Sequence, residues 1–148
     1  MEDFHSTEYE PEWLQYVDHT ADAGIVVTAD SRSQLFERAA VGMFTILTEP
    51  EKLGQLIRRE VEVEGEDLES LMLNWLSELN FLHITERELF GSFKIRHLAE
   101  TVLNAEIGGE LMDPAKHVVY TEIKAVTFHE LEIHQVEGQW RAQVIFDL

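Results

Sequence analysis

Two helix-length apolar stripes set among about seven strand-like segments predict an α+β domain. The last four strand-like segments follow one another with no helix between them, which predicts mostly antiparallel pairing. Two main helices should therefore pack on one side of a mostly antiparallel sheet. With 148 residues, 45% of them hydrophobic, the chain is the size of one domain with one real core.

Residues 1–12 carry Glu2, Asp3, Glu8, Glu10 and Glu12 with no Lys or Arg, and read as an acidic, flexible tail before a single domain spanning 13–148. Trp13 to Val17 alternates as a strand does, and Gly24 to Thr28 reads as a second short strand. Ser31-Arg32-Ser33-Gln34 has capping-box spacing. Leu35, Phe36, Ala39, Ala40, Met43, Phe44 and Leu47 then form one apolar stripe, ending near Thr48 to Pro50. From Gln55 to Glu64, Ile57, Arg59, Val61 and Val63 alternate with Arg58, Glu60, Glu62 and Glu64, as in a strand with one acidic, wet face.

A second helix is expected from about Glu66 to His83, with acidic residues in its first turn where the helix dipole favours them. Its stripe of Leu68, Leu71, Met72, Trp75, Leu76, Leu79 and Leu82 marks a central core helix, with Trp75 as packing rather than a ligand platform. Ser92 to Leu98, Thr101 to Ile107, Thr121 to His134 and Gln139 to Phe146 are the late strands. Turns are expected at Gly108-Gly109 and Glu137-Gly138.

The formal charge of -18, from 11 basic and 29 acidic residues, repels a phosphate backbone at long range. Little or no direct nucleic-acid binding is therefore expected, and a basic protein partner or a bound cation suits the surface better. The lack of any cysteine excludes disulfides, thiolate zinc sites and a cysteine nucleophile. No uninterrupted apolar run approaches the ~18 residues of a membrane span, and no secretory leader pattern is visible, so a cytoplasmic location is expected. Neither a phosphate-binding glycine loop, a nucleophile elbow nor the His spacing of a helical zinc site occurs.

Three polar places remain. In Asp18-His19-Thr20-Ala21-Asp22, two carboxylates flank a His and a Thr between strands; the run is either a turn bonding its own amides or an oxygen-rich metal or catalytic corner. Met112-Asp113-Pro114-Ala115-Lys116-His117 opens on a turn signal and leads to Lys124, which has apolar neighbours on both faces of its segment. That suggests an enclosed strand and a specific partner for Lys124. At the end of the sequence, Trp140, Ala142, Val144 and Phe146 form a core face, which leaves Arg141, Gln143, Ile145 and Asp147 on the other. Carboxylate and backbone oxygens without thiolates suit Ca²⁺, Mg²⁺ or Mn²⁺. His19, His117 or His129 would widen the choice toward transition metals, although a lone His is more often a structural residue.

Five stretches, in order, resemble the archease family: Asp18 to Gly24; Gly65 to Glu69 leading to Asn74-Trp75-Leu76-Ser77-Glu78-Leu79; Asp113 to His117; Glu122 to His129; and Val144 to Leu148. The resemblance runs from about Trp13 to Leu148. Departures are modest: Ala23 replaces a larger aliphatic residue, Phe128 replaces a frequent Tyr, and the acidic segment before Trp13 is long.

What the resemblance implies is a protein cofactor rather than an enzyme, one that activates an RtcB-type tRNA-splicing RNA ligase by promoting guanylylation of the ligase's histidine and multiple turnover. It further implies an archease-like strand-helix-strand-strand fold and one bound divalent cation, usually assigned as Ca²⁺, with Mg²⁺ or Mn²⁺ as the alternatives. The metal positions fall on Asp22, Asp147 and the backbone oxygen of Leu148, and the family's strand lysine falls on Lys124. Asp18 and His19 become supporting residues. Two rival readings use the same features: a small metal-dependent phosphoester hydrolase with His19 or His129 as base, and a general acidic chaperone or modulator of RNA- or DNA-processing proteins.

Overall fold

The computed structural model describes residues 11–19 and 22–148, apart from the side chains of Asp18 and His19. The acidic segment at positions 1–10 therefore lies outside the described residues. In chain order the elements are β1 (Leu14–His19), β2 (Asp22–Ala29), α1 (Arg32–Leu47), a short 3-10 helix (Pro50–Lys52), β3 (Ile57–Glu64), α2 (Leu68–Glu86), β4 (Glu88–Leu98), β5 (Val102–Leu111), β6 (Ala125–Val136) and β7 (Gln139–Asp147). All pairings are antiparallel.

The strands divide between two sheets, one ordered β1-β2-β7-β6 and the other β3-β5-β4. Both helices lie between them: α1 packs on β2 and β7 of the first sheet and β4 of the second, while α2 packs on β6 and on β3, β4 and β5. An α+β domain of two helices on antiparallel sheets results. Having a sheet on either side explains why α1 buries Leu35, Phe36, Ala39, Ala40, Met43, Phe44, Ile46 and Leu47 completely, a wider arc than a helix on a single sheet would hide.

Local chemistry sets the helix ends. The Ser31 hydroxyl accepts the Gln34 N–H at 3.1 Å, and the Gln34 side chain accepts the Asp30 N–H at 2.9 Å, a capping box shifted one residue outward. Asp67 caps α2 by accepting the Ser70 N–H, and that bond holds its carboxyl below the usual carboxylate range. Arg87 ends α2 in the left-handed region at φ 57. Trp75 is fully buried and donates its indole N–H to the Phe36 carbonyl at 2.9 Å, tying α2 to α1; it is a core residue.

Three expectations need correction. Gly108 and Gly109 are not a turn but lie inside β5, facing Ile57 and Arg58 on one side and the β4 bulge between Phe90 and Ser92 on the other. A Cβ on Gly109 would sit 1.9 Å from the Leu89 carbonyl oxygen, so the glycine answers a close backbone approach. The strand expected from Thr121 begins only at Ala125; ahead of it the Ile123 carbonyl accepts from the Asn80 side chain at 2.9 Å rather than from a neighbouring strand. Finally, β6 is not enclosed: it is the outer strand of its sheet, and Phe128 on it is 60% exposed. The Glu137-Gly138 turn is as expected, with φ 52 and 84, the paired positive values of a two-residue hairpin turn.

Candidate metal centre

The place where β2 starts and β7 ends is set by register. Asp22 and Asp147 are direct Cα partners, followed inward by Ala23 with Phe146 and Gly24 with Ile145. Burial of Ala23 and Phe146 fixes that register, since a slip of one residue would turn the carboxylates into the core. Directly opposed residues of an antiparallel pair project to the same face, with Cβ atoms about 4.5–5.5 Å apart. Asp22 and Asp147 therefore share one face at one corner of the sheet, Asp22 half-buried and Asp147 exposed.

On the other flank of β7, Ala125 faces Asp147, and the Lys124 N–H donates to the Asp147 carbonyl at 2.8 Å. That bond anchors the segment leading into β6 and brings Asp22, Lys124, Asp147 and Leu148 into one neighbourhood. Among the described residues neither carboxylate has a basic partner, and the Lys124 ammonium, on an exposed residue, has none either. Lys124 thus lacks the specific partner expected of it. The cause is its position ahead of an outer strand rather than within an enclosed one.

Like charges directly opposite one another on a sheet repel, by about 1 kcal/mol at 4 Å in water and about 4 at an effective dielectric of 20. The donor set is wholly oxygen, which suits a hard divalent cation. It is also incomplete. No group of three or more His, Asp or Glu side chains that could hold a metal occurs among the described residues. Two carboxylates and a backbone oxygen would leave much of a six- to eight-oxygen sphere to water or to another molecule.

Of the remaining sequence-derived candidates, His19 is the direct Cα partner of Asp22 on β1, at the same corner, and His117 and His129 lie elsewhere. Thr20, Ala21 and the side chains of Asp18 and His19 are outside the described residues. His129 is exposed on the irregular stretch of β6, 3.8 Å from Glu130, where no β7 residue is its register partner. His117 belongs to a different cluster, centred on a residue that sequence reasoning passed over. Glu110, 5% exposed, accepts the Gly54 N–H at 2.6 Å, takes the Lys116 ammonium as its ion-pair partner and has His117 Nε2 at 3.3 Å.

His117 Nδ1 accepts the Asp113 N–H at 2.9 Å, which assigns the ring proton to Nε2, facing Glu110. The Lys116 ammonium, then the Gly54 N–H, hold the Glu110 carboxyl down at about 2 despite its burial. Asp113 Oδ1 accepts the Ala115 N–H, so the Asp-Pro segment is a self-bonded turn. This cluster is a structural lock among β5, the loop after the 3-10 helix and the 113–117 turn, with both Glu110 carboxylate oxygens and both His117 ring nitrogens engaged. The strand expected from Thr101 stops at Ile107, short of Glu110, whereas β5 carries on to Leu111.

These features define a small α+β protein with an acidic sheet corner. Residues 14–148 match the model of the Archease protein family (MTH1598/TM1083). Similar proteins include the archease of Pyrococcus furiosus, 37% identical over 93% of this chain and 99% of that protein. That of Pyrococcus abyssi is 40% identical over 92% and 98%. The solution structure of Methanobacterium thermoautotrophicum protein 1598 superposes with a TM-score of 0.77 at 36% identity, covering 92% of this chain and 99% of that one. An archease crystal structure from Thermotoga maritima shares the fold with a TM-score of 0.63 at 19% identity, covering 97% and 100%. The chain belongs to the archease family.

Proposed function

We propose that this protein activates an RtcB-type tRNA-splicing RNA ligase, promoting guanylylation of the ligase's histidine and multiple turnover, and catalyses no reaction of its own. Membership of the archease family supports the reading. The observation that carries it on this chain is the direct facing of Asp22 and Asp147, neither of which has an ion-pair partner among the described residues.

The two carboxylates and the backbone oxygen of Leu148 hold one divalent cation, Ca²⁺ by family likeness, with Mg²⁺ and Mn²⁺ suited to the same oxygens. Such an ion, when bound, supplies positive charge against the phosphates of the ligase's GTP. The incomplete donor set suits a corner that works against another protein, because the missing oxygens can come from the partner or its nucleotide. Lys124 stands beside the corner with a free ammonium, placed to contact a phosphate oxygen. The charge of -18 steers the protein toward the basic cleft that a ligase of RNA and GTP requires, in the cytoplasm. No helix among the described residues is long and apolar enough to cross a membrane.

The test is a ligase guanylylation assay with wild type and Asp147→Ala, each confirmed folded by circular dichroism. Stimulation should fall at least ~10-fold in the variant, as expected when a charge acting on the transition state is lost. Undiminished stimulation would remove the metal corner from the mechanism.

A further inference from the structure

The outward face of α2 carries residues that a solvated helix has no use for. Phe81 is 58% and Ile84 44% exposed, and Phe128, across the gap on β6, is 60% exposed. Three adjoining hollows run along this face between β3 and β6. Phe128 lines the first with Leu73 and Asn74, Phe81 lines the second with Val63, and Phe81 and Ile84 line the third with Lys124 and Ala125. The last hollow thus ends at the residue facing Asp147.

Two further observations characterise this face, and the second says what kind of occupant fits. Asn80, 5% exposed, lines the third hollow; its Nδ2 donates to the Ile123 carbonyl at 2.9 Å, while its Oδ1 is buried with no hydrogen-bond partner. Every other buried side-chain polar atom among the described residues is satisfied, and this one has no solvent access, so it is not reached from the open hollow. The rim is acidic, with Glu64, Glu66 and Glu78 bordering the hollows away from the corner. The one cation lining them, Lys124, sits at the corner end.

We infer that this outward face of α2, between β3 and β6, docks a basic segment of the partner ligase, one that sets an apolar side chain against Phe81 and Ile84. The identity of the partner rests on the function proposed above; the groove and its chemistry do not. The polarity orients the complex, with the partner's cations over Glu64, Glu66 and Glu78 and its phosphate-bearing end toward Lys124 and the Asp22–Asp147 corner. The chain's own N-terminal segment, with Glu2, Asp3, Glu8 and Glu10, has the wrong sign for the same rim.

The test measures the affinity of the full chain for an RtcB-type ligase by surface plasmon resonance, from about 0.05 to 0.3 M salt. Phe81→Asp and Ile84→Asp should each weaken binding at least ~10-fold, as loss of an interface anchor does. Leu56→Asp, at a residue 79% exposed that lines none of the three hollows, should not. Glu64→Lys and Glu78→Lys should weaken binding and flatten its salt dependence. All five positions lie outside the buried core, and thermal melts check that each variant folds.

Wild-type affinity in Phe81→Asp and Ile84→Asp, with stimulation retained, overturns the docking groove alone. Two further results also overturn it: a change from dimer to monomer in Phe81→Asp with unaltered ligase affinity, which gives the face to a second copy, or a rise in affinity on deleting residues 1–10, which gives it to the chain's own segment. Failure of the wild type to bind the ligase overturns the proposed function and this occupant together. Loss of stimulation with binding intact in Asp147→Ala, beside loss of binding in Phe81→Asp, supports both and separates their sites.

Discussion

Asp22 and Asp147 stand directly opposite one another across β2 and β7, two carboxylates on one sheet face with no ion-pair partner among the described residues. The facing charges cost stability, which a cation held as proposed would offset. Asp147→Asn should therefore raise the melting temperature of chelator-treated protein, the gain being ~0.5–1 kcal/mol at an exposed pair. Added Ca²⁺ at 100 times its Kd should stabilise the wild type by about 2.7 kcal/mol and leave the variant unchanged. Differential scanning calorimetry with and without Ca²⁺ reads both effects, and equal shifts in the two proteins would deny the corner a cation.

Glu110 makes acid stability a local question. Its carboxyl lies at about 2 in the folded protein, below its ordinary 4.5, chiefly because of Lys116 and the Gly54 N–H. A depressed carboxyl contributes stability that is fully present above the unfolded value. The contribution is lost as pH falls from about 4.5 to about 2. Glu110→Gln should lower stability at neutral pH and flatten the decline over that window, as urea melts at a series of pH values would show. A parallel decline in both proteins would mean that Glu110 does not carry the effect.

Gly109 and Gly138 should respond differently to the same change. Gly109→Ala drives a methyl into the Leu89 carbonyl oxygen and should cost about 3 kcal/mol or more, since both atoms belong to paired strands. Gly138→Ala meets nothing within 4 Å and pays only for a positive φ, roughly 1–2 kcal/mol. Denaturant midpoints of the two variants give the comparison; equal losses would contradict the close approach.

Trp75→Phe removes the indole donor and leaves the Phe36 carbonyl buried without its partner. A loss of about 2–3 kcal/mol is expected from the orphaned acceptor together with the vacated space. Amide exchange at α1 should quicken along with that at α2, because the bond joins the two helices.

Much of this was legible in the sequence because period and burial agree. The α1 stripe, the α2 stripe and the alternation from Trp140 to Phe146 each name one face, and those faces are the ones buried. The corner was legible for the same reason: alternation put Asp147 off the core face, and the family likeness named Asp22 beside it. What failed was what depends on neighbours distant in sequence. Gly108 and Gly109 carry no sign that a β4 bulge will crowd them, so they read as a turn. Lys124 and Phe128 alternate with apolar residues as an enclosed strand would, but only the sheet order shows that nothing pairs beyond β6. Asn80 sits on the buried arc of α2, and its orphaned oxygen is visible only once Ile123 has taken its amide.

The strand order β1-β2-β7-β6 carries a consequence for how the molecule comes into being on the ribosome. The β1–β2 hairpin is synthesised first and β7 last of the strands, yet β7 is the strand that covers the inner edge of β2. Until β7 emerges, that edge offers unpaired amides beside the apolar face of Ile25 and Val27, a template for misassembly. Contacts that distant along the chain also make closure of the sheet slow. Because Asp22 and Asp147 meet only in that closing step, the acidic corner doubles as a seal of completeness. In a nascent or partly folded copy the two carboxylates stand apart, and the corner exists only once the sheet is shut.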